Sequence, residues 1–95
     1  MLFVVSAFDR PGALELRLQT RPAHIDYLKT RIAQIRAGGA FLNADEEPVG
    51  SMLIIEADDQ AAAEAFAAND PFSKQGVFER VEVRPWRPAL GSWVA

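Results

Sequence analysis

The opening segment Leu2-Phe3-Val4-Val5-Ser6-Ala7-Phe8 is apolar on both of the faces that a β-strand presents. One alternation set is Leu2, Val4 and Phe8, the other Phe3, Val5 and Ala7, so a strand here must be covered on both sides. Met52-Leu53-Ile54-Ile55 repeats the pattern. A chain of 95 residues has room for a single domain, residues 1–95, and too little chain to build a layer over each side of a sheet. The second apolar face is therefore expected to meet another copy of the chain, with sheets packed face to face in a two-fold homodimer.

Breakers divide the rest. Strand one, Leu2 to Phe8, stops at Asp9-Arg10-Pro11-Gly12. Ala13 to Leu18 alternates like a strand but consists of helix formers, and reads as a short helix or loop. Ile25, Leu28, Ile32 and Ile35 recur at helical spacing, which predicts a helix from Pro22 to Ala37, with Pro22 in its first turn and Gly38-Gly39 as its stop. Phe41–Ala44 and Ser51–Ala57 flank the turn formers Asp45-Glu46-Glu47-Pro48 as strands two and three of a hairpin. Asp58-Asp59 offers an N-cap to a helix over Gln60–Ala68, which ends before Pro71. Val77 to Trp86 alternates as strand four, and Arg87 to Trp93 is a C-terminal arm, in which Trp93, with Pro85 before it, can blunt a sheet edge. The order β-α-β-β-α-β is that of a ferredoxin-like α+β fold, an antiparallel sheet of four strands with two helices on one face.

Composition excludes much chemistry. With 10 Lys+Arg against 13 Asp+Glu the formal charge is −3, which gives no reason to approach nucleic acid or an anionic membrane. No apolar run is long enough to span a bilayer, and the protein is expected in the cytoplasm. The absence of cysteine removes disulfides, iron–sulfur ligation and thiol nucleophiles. A single histidine, His24, excludes two-histidine metal motifs, so no catalytic metal is expected. The glycines form neither a P-loop nor a dinucleotide fingerprint, so no cofactor is expected either.

His24 lies at the border of the predicted helix face, where an imidazole can serve as a general base or as a hydrogen-bonded packing residue. Asp70, between the second helix and strand four, reads on spacing alone as a local cap or Asx-turn.

Thr20-Arg21-Pro22-Ala23-His24-Ile25-Asp26-Tyr27-Leu28, Gly50-Ser51, Asn69-Asp70-Pro71-Phe72 and Gly76-Val77-Phe78 resemble the YciI-like (YCII-related) family of small proteins. The resemblance covers nearly the whole chain, and its most specific elements are Arg-Pro-x-His and Asp-Pro-aromatic. It implies a dimeric α+β barrel in which His24 and Asp70 line one pocket as a catalytic pair. The segment Asn43–Val49 is shorter than in many relatives, and loops decide substrate choice, so no particular substrate carries over. Arg21, with Arg17 beside it, offers a bidentate partner for a carboxylate or phenolate, although a solvated arginine is the commoner outcome. Ser6, Ser51 and Phe72 complete the candidate substrate-binding set, each serine having ordinary backbone bonding as its alternative.

Two functions follow as expectations. One is a cofactor-independent enzyme acting on a small cyclic or aromatic molecule, with His24 as base and Asp70 orienting it, in an elimination, isomerisation or hydrolysis; lyase-like elimination is favoured within the family. The other is a metabolite-binding or stress-associated accessory protein that uses the same pocket without turnover.

Overall fold

The computed structural model describes residues 1–92; Trp93 of the expected arm lies outside them. The elements are β1 (Leu2–Asp9), α1 (Leu14–Thr30), a 3-10 turn (Ile32–Gln34), β2 (Ile35–Leu42), β3 (Pro48–Glu56), α2 (Gln60–Ala68), α3 (Pro71–Lys74) and β4 (Phe78–Pro85). The sheet order is β2-β3-β1-β4 with every neighbouring pair antiparallel, which is the ferredoxin-like arrangement. Phe3 stands opposite Ile55 and Pro85, and Val5 opposite Leu53 and Val83, so one alternation set of each inner strand faces the helices. Phe3, Val5, Leu53, Ile55 and Phe66 form the main core there. α1 and α2 meet at Tyr27 and Phe66, whose rings lie 5.6 Å apart, and the Tyr27 hydroxyl donates to the Phe66 carbonyl at 2.8 Å. Burial pushes the Tyr27 phenol above its ordinary pKa.

Two local choices differ from the sequence expectation. The first helix starts eight residues earlier than Pro22, and Ala13–Leu18 belongs to it rather than to a loop. Pro22 sits inside the helix with its ring exposed, and an interior proline costs about 3 kcal/mol. What holds the preceding turns is a buried stripe of Arg17, Thr20 and His24, polar residues spaced as one helix face. Of the apolar residues that suggested the core face, Leu28 and Ile35 pack against the core, whereas Ile25 is only half buried and Ile32 is 66% exposed, and all four line an opening.

The same helix ends at Thr30, and the chain is a strand from Ile35, where helix was expected to run to Ala37. Gly38 and Gly39 are strand residues, not a helix stop. A Cβ on Gly38 would stand 2.3 Å from Leu53 Cδ2, so the missing side chain lets Leu53 pack across the strand. β2 accordingly starts at Ile35 and stops at Leu42, leaving Asn43 and Ala44 of the expected Phe41–Ala44 strand to the turn, and β3 takes in Pro48 to Gly50 and ends at Glu56, one residue before Ala57. At the hairpin, Asn43 Oδ1 accepts from the backbone of Asp45 and Glu47. Asp59 caps α2 by accepting from Ala62 N–H at 2.8 Å, as the sequence suggested.

The other sheet face carries Leu2, Val4, Ser6 and Phe8 of β1 with Met52 and Ile54 of β3. No helix covers it. Phe8 stacks on Phe41 at 5.7 Å, and Arg80 lies over Phe8 at 4.5 Å. No helix among the described residues is long and apolar enough to cross a membrane.

Candidate active site

The chain leaves α2 at Asn69, and Asp70 then opens the single-turn helix α3, with Pro71 in the first helical position, where its missing N–H costs nothing. The Asp70 carboxylate caps that turn, Oδ1 accepting from Phe72 N–H at 2.9 Å. The same carboxylate receives His24. Nδ1 lies 2.8 Å from Oδ1 and 3.0 Å from Oδ2, with Asp70 3% and His24 8% exposed. The local-cap reading and the pairing are thus both true of one side chain.

An ionised carboxylate only accepts hydrogen bonds, so Nδ1 carries the proton and the neutral ring keeps a lone pair on Nε2. Nε2 has no hydrogen-bond partner among the described residues, yet no buried side-chain nitrogen is left unsatisfied, so it keeps accessible surface. His24 lines a cavity of about 510 Å³ between α1 and β2, and Nε2 is the nitrogen free to open onto it.

Phe72 is the platform of this end. The His24 ring stacks on it with centroids 3.9 Å apart and planes inclined by 16°, and the Arg17 guanidinium lies 4.5 Å from the same ring centroid. Only 1% of Phe72 is exposed, so its contribution is to hold these two groups rather than to offer surface of its own.

Arg17, which the sequence offers with Arg21 as a partner for a carboxylate or phenolate, is instead enclosed with a carboxylate of this chain. Its side chain is 6% exposed. Nη1 donates to both oxygens of Asp9 at 2.9 and 3.2 Å, and Nη2 donates to Ser51 Oγ at 2.7 Å. Burial raises the Asp9 carboxyl above its ordinary pKa, against the charge and hydrogen bond of Arg17, which pull it down. Ser51 Oγ, accepting from Arg17, keeps its own hydrogen for another partner, and Ser51 lines the cavity. The signal for Arg17 was present: Arg17, Thr20 and His24 share one face, but they read as a buried face only if polar residues are allowed to form one.

Arg21 also lines the cavity, exposed and without a hydrogen bond or ion pair among the described residues. Ser6 does not join. It alternates with the buried Val5 and Ala7 and stands opposite Met52 and Glu82 on the other face of the sheet, away from the pocket assigned to it. The structure thus brings His24, Asp70, Phe72 and Ser51 together with Arg17, places Arg21 beside them and leaves Ser6 out. Among the described residues, no three His, Asp or Glu side chains converge as metal ligands.

Fold and site define a small ferredoxin-like α+β protein with a buried histidine–aspartate pair at the end of a cavity. A YCII-related domain matches residues 1–87, and the chain belongs to that family. The protein YciI of Escherichia coli O6:H1 is 34% identical over 99 residues, covering 92% of this chain and 97% of its own. A protein of Haemophilus influenzae is 33% identical over the same shares of the two chains. Among solved structures, a 5-chloro-2-hydroxyhydroquinone dehydrochlorinase (TftG) from Burkholderia phenoliruptrix, in complex with 2,5-dihydroxybenzoquinone, superposes with a TM-score of 0.89. It is 38% identical, over 94% of this chain and 96% of that one. An antibiotic biosynthesis monooxygenase, 22% identical with a TM-score of 0.51 over 93% of this chain and 100% of its own, shares the fold alone.

Proposed function

We propose that this protein is an enzyme of small-molecule elimination, without a cofactor, in which His24 removes a proton from a hydroxylated ring and Asp70 stabilises the imidazolium that forms. The observation that carries the reading is the placement of Nδ1 between both Asp70 oxygens, 2.8 and 3.0 Å away, with Nε2 left free beside the cavity. The carbon bearing the leaving group first gains the hydrogen of the neighbouring ring hydroxyl by keto tautomerisation; as Nε2 then takes the proton of a second, conjugated hydroxyl, the electron pair left on that oxygen moves through the ring and expels the leaving group as its anion, leaving a quinone. The imidazolium then returns its proton to water. Arg21 and the Ser51 hydroxyl stand where they can hold the developing oxyanion, and Arg17 fixes Ser51. The likeness to a dehydrochlorinase, an enzyme that removes hydrogen chloride, supports this reaction class.

The test is chloride release from 5-chloro-2-hydroxyhydroquinone. The wild type is expected to turn it over, and His24→Gln to lose about 10²–10⁴-fold in rate, the usual contribution of one positioned base. Turnover unchanged in His24→Gln would remove His24 from the mechanism. Binding of the ring compound without turnover by the wild type would favour the metabolite-binding alternative.

The same proposal includes a homodimer, supported by the apolar sheet face of Val4, Phe8 and Met52, none of them fully buried and none covered by a helix among the described residues.

A further inference from the structure

The cavity that ends at His24 continues well past it, and its far end is built for a second ligand group. Along α1 its wall is Arg21, Ile25, Leu28, Lys29 and Ile32. Arg21 and Lys29 are eight residues apart, about 12 Å along a helix axis. Across the opening, Gly38, Gly39 and Ala40 leave the β2 side free of bulk. Ser51 stands opposite Ala40 at the reactive end, and Ile55 opposite Ile35 at the other, again about 13 Å apart along a strand. The middle is apolar, with Ile25, Leu28 and Leu53.

The charge lining this space is of one sign. Arg17, Arg21, Lys29 and Arg36 line it and no Asp or Glu does, in a chain with 13 acidic against 10 basic residues. Arg17 is matched by Asp9. Lys29, like Arg21, has no hydrogen bond or ion pair among the described residues. Arg36 donates to the Ala33 carbonyl at 3.1 Å, and its Nη2 stands 3.6 Å from a Glu56 oxygen, which leaves guanidinium donors unused. The cavity is thus positive at both ends and apolar between them.

We infer that Lys29 and Arg36 form a distal anion subsite, so that the substrate is a hydroxylated ring bearing a carboxylate on a short alkyl chain. The ring hydroxyl meets His24, the chain lies along Ile25 and Leu28, and the carboxylate reaches Lys29 and Arg36. This rests on the elimination site proposed above and adds what selects its substrate. A compact ring compound would leave the distal cations unused.

Calorimetric titration with 3-(4-hydroxyphenyl)propanoate and its amide tests it, because the two share ring and chain and differ in the distal charge. The compact 2,5-dihydroxybenzoquinone reports on the reactive end alone. The wild type is expected to prefer the carboxylate by about tenfold, as two partly exposed ion pairs allow, with the preference shrinking as salt is raised. The double variant Lys29→Gln/Arg36→Gln, both changes on the rim, should abolish the preference and leave the amide and 2,5-dihydroxybenzoquinone bound as before. A carboxylate with no advantage in the wild type, or with an undiminished one in the double variant, overturns the distal subsite. If neither the amide nor 2,5-dihydroxybenzoquinone binds the wild type, the reactive-end reading itself fails and the inference falls with it.

Discussion

Asp70 does two jobs with one carboxylate, and the two can be separated by substitution. Its Oδ1 caps α3 through Phe72 N–H, and both oxygens hold His24 Nδ1. Asp70→Ala removes the cap, at about 0.5–2 kcal/mol, and strands a buried imidazole N–H, at about 1–3 kcal/mol. The expected loss is therefore about 3 kcal/mol, or roughly 12–24 °C in Tm for a domain of this size. Asp70→Asn keeps a good capping side chain and a hydrogen bond to Nδ1, but exchanges a charge-assisted bond for a neutral one, so it should cost only about 1 kcal/mol. In a His24→Ala background the pairing contribution is gone, and Asp70→Ala should cost no more than the cap, about 1 kcal/mol. The coupling in the double-mutant cycle should then be about 1.5–3 kcal/mol. Urea unfolding of the four proteins at one protein concentration measures it, the concentration being held because association shifts apparent stability. Equal costs of Asp70→Ala in both backgrounds, within about 0.5 kcal/mol, would refute the reasoning, because neighbours in contact do not behave additively.

Other outcomes follow from single contacts. Arg17→Gln should destabilise by about 3–5 kcal/mol at neutral pH by leaving the Asp9 carboxylate buried and unpaired. Because burial already raises the Asp9 carboxyl, its protonated form suits the folded state, and stability tied to that form is present in acid and lost as pH rises through the folded-state value. The gap between wild type and Arg17→Gln should therefore narrow on acidification, and denaturation at a series of pH values would show a constant gap if the ion pair is not responsible. Gly50→Ala should cost about 1–3 kcal/mol and more than Gly38→Ala, because its Cβ would stand 2.5 Å from the backbone oxygen of Ala7, whereas at Gly38 the obstacle is the end of a Leu53 side chain that can rotate; thermal unfolding ranks the two. Light scattering should give about twice 10.5 kDa for the wild type and the monomer mass for Val4→Glu, and a wild-type monomer would contradict the sheet-face argument.

β1, β3, β4 and α2 were legible because their residues obey a local rule: alternation in Phe3-Val4-Val5, a capping carboxylate at Asp59, a proline closing the helix at Pro71. The first helix was misplaced because its decisive interactions are not local. Arg17 is buried by Asp9, Ser51 and Phe72, which arrive from β1, β3 and α3, and nothing near Arg17 in the chain shows that a guanidinium will be enclosed. Ile32 and Ile35 extend a helical period, but Ile35 is claimed by pairing with Ile55, and Gly38 answers to Leu53 rather than to a helix end. At the site, the motifs around His24 and Asp70 were legible through family resemblance, whereas spacing alone pointed to a cap. Ser6 was misassigned because a strand apolar on both faces does not reveal which face a lone serine occupies.

The most direct test of the central claim is the protonation pattern of the one imidazole, read by ¹⁵N NMR of the protein at a pH where the ring is neutral. The account predicts a proton on Nδ1, held by Asp70, and a bare Nε2 able to accept one, with the pattern lost or mixed in Asp70→Ala. A neutral ring protonated on Nε2 in the wild type would contradict it, because His24 would then have no lone pair to offer the cavity.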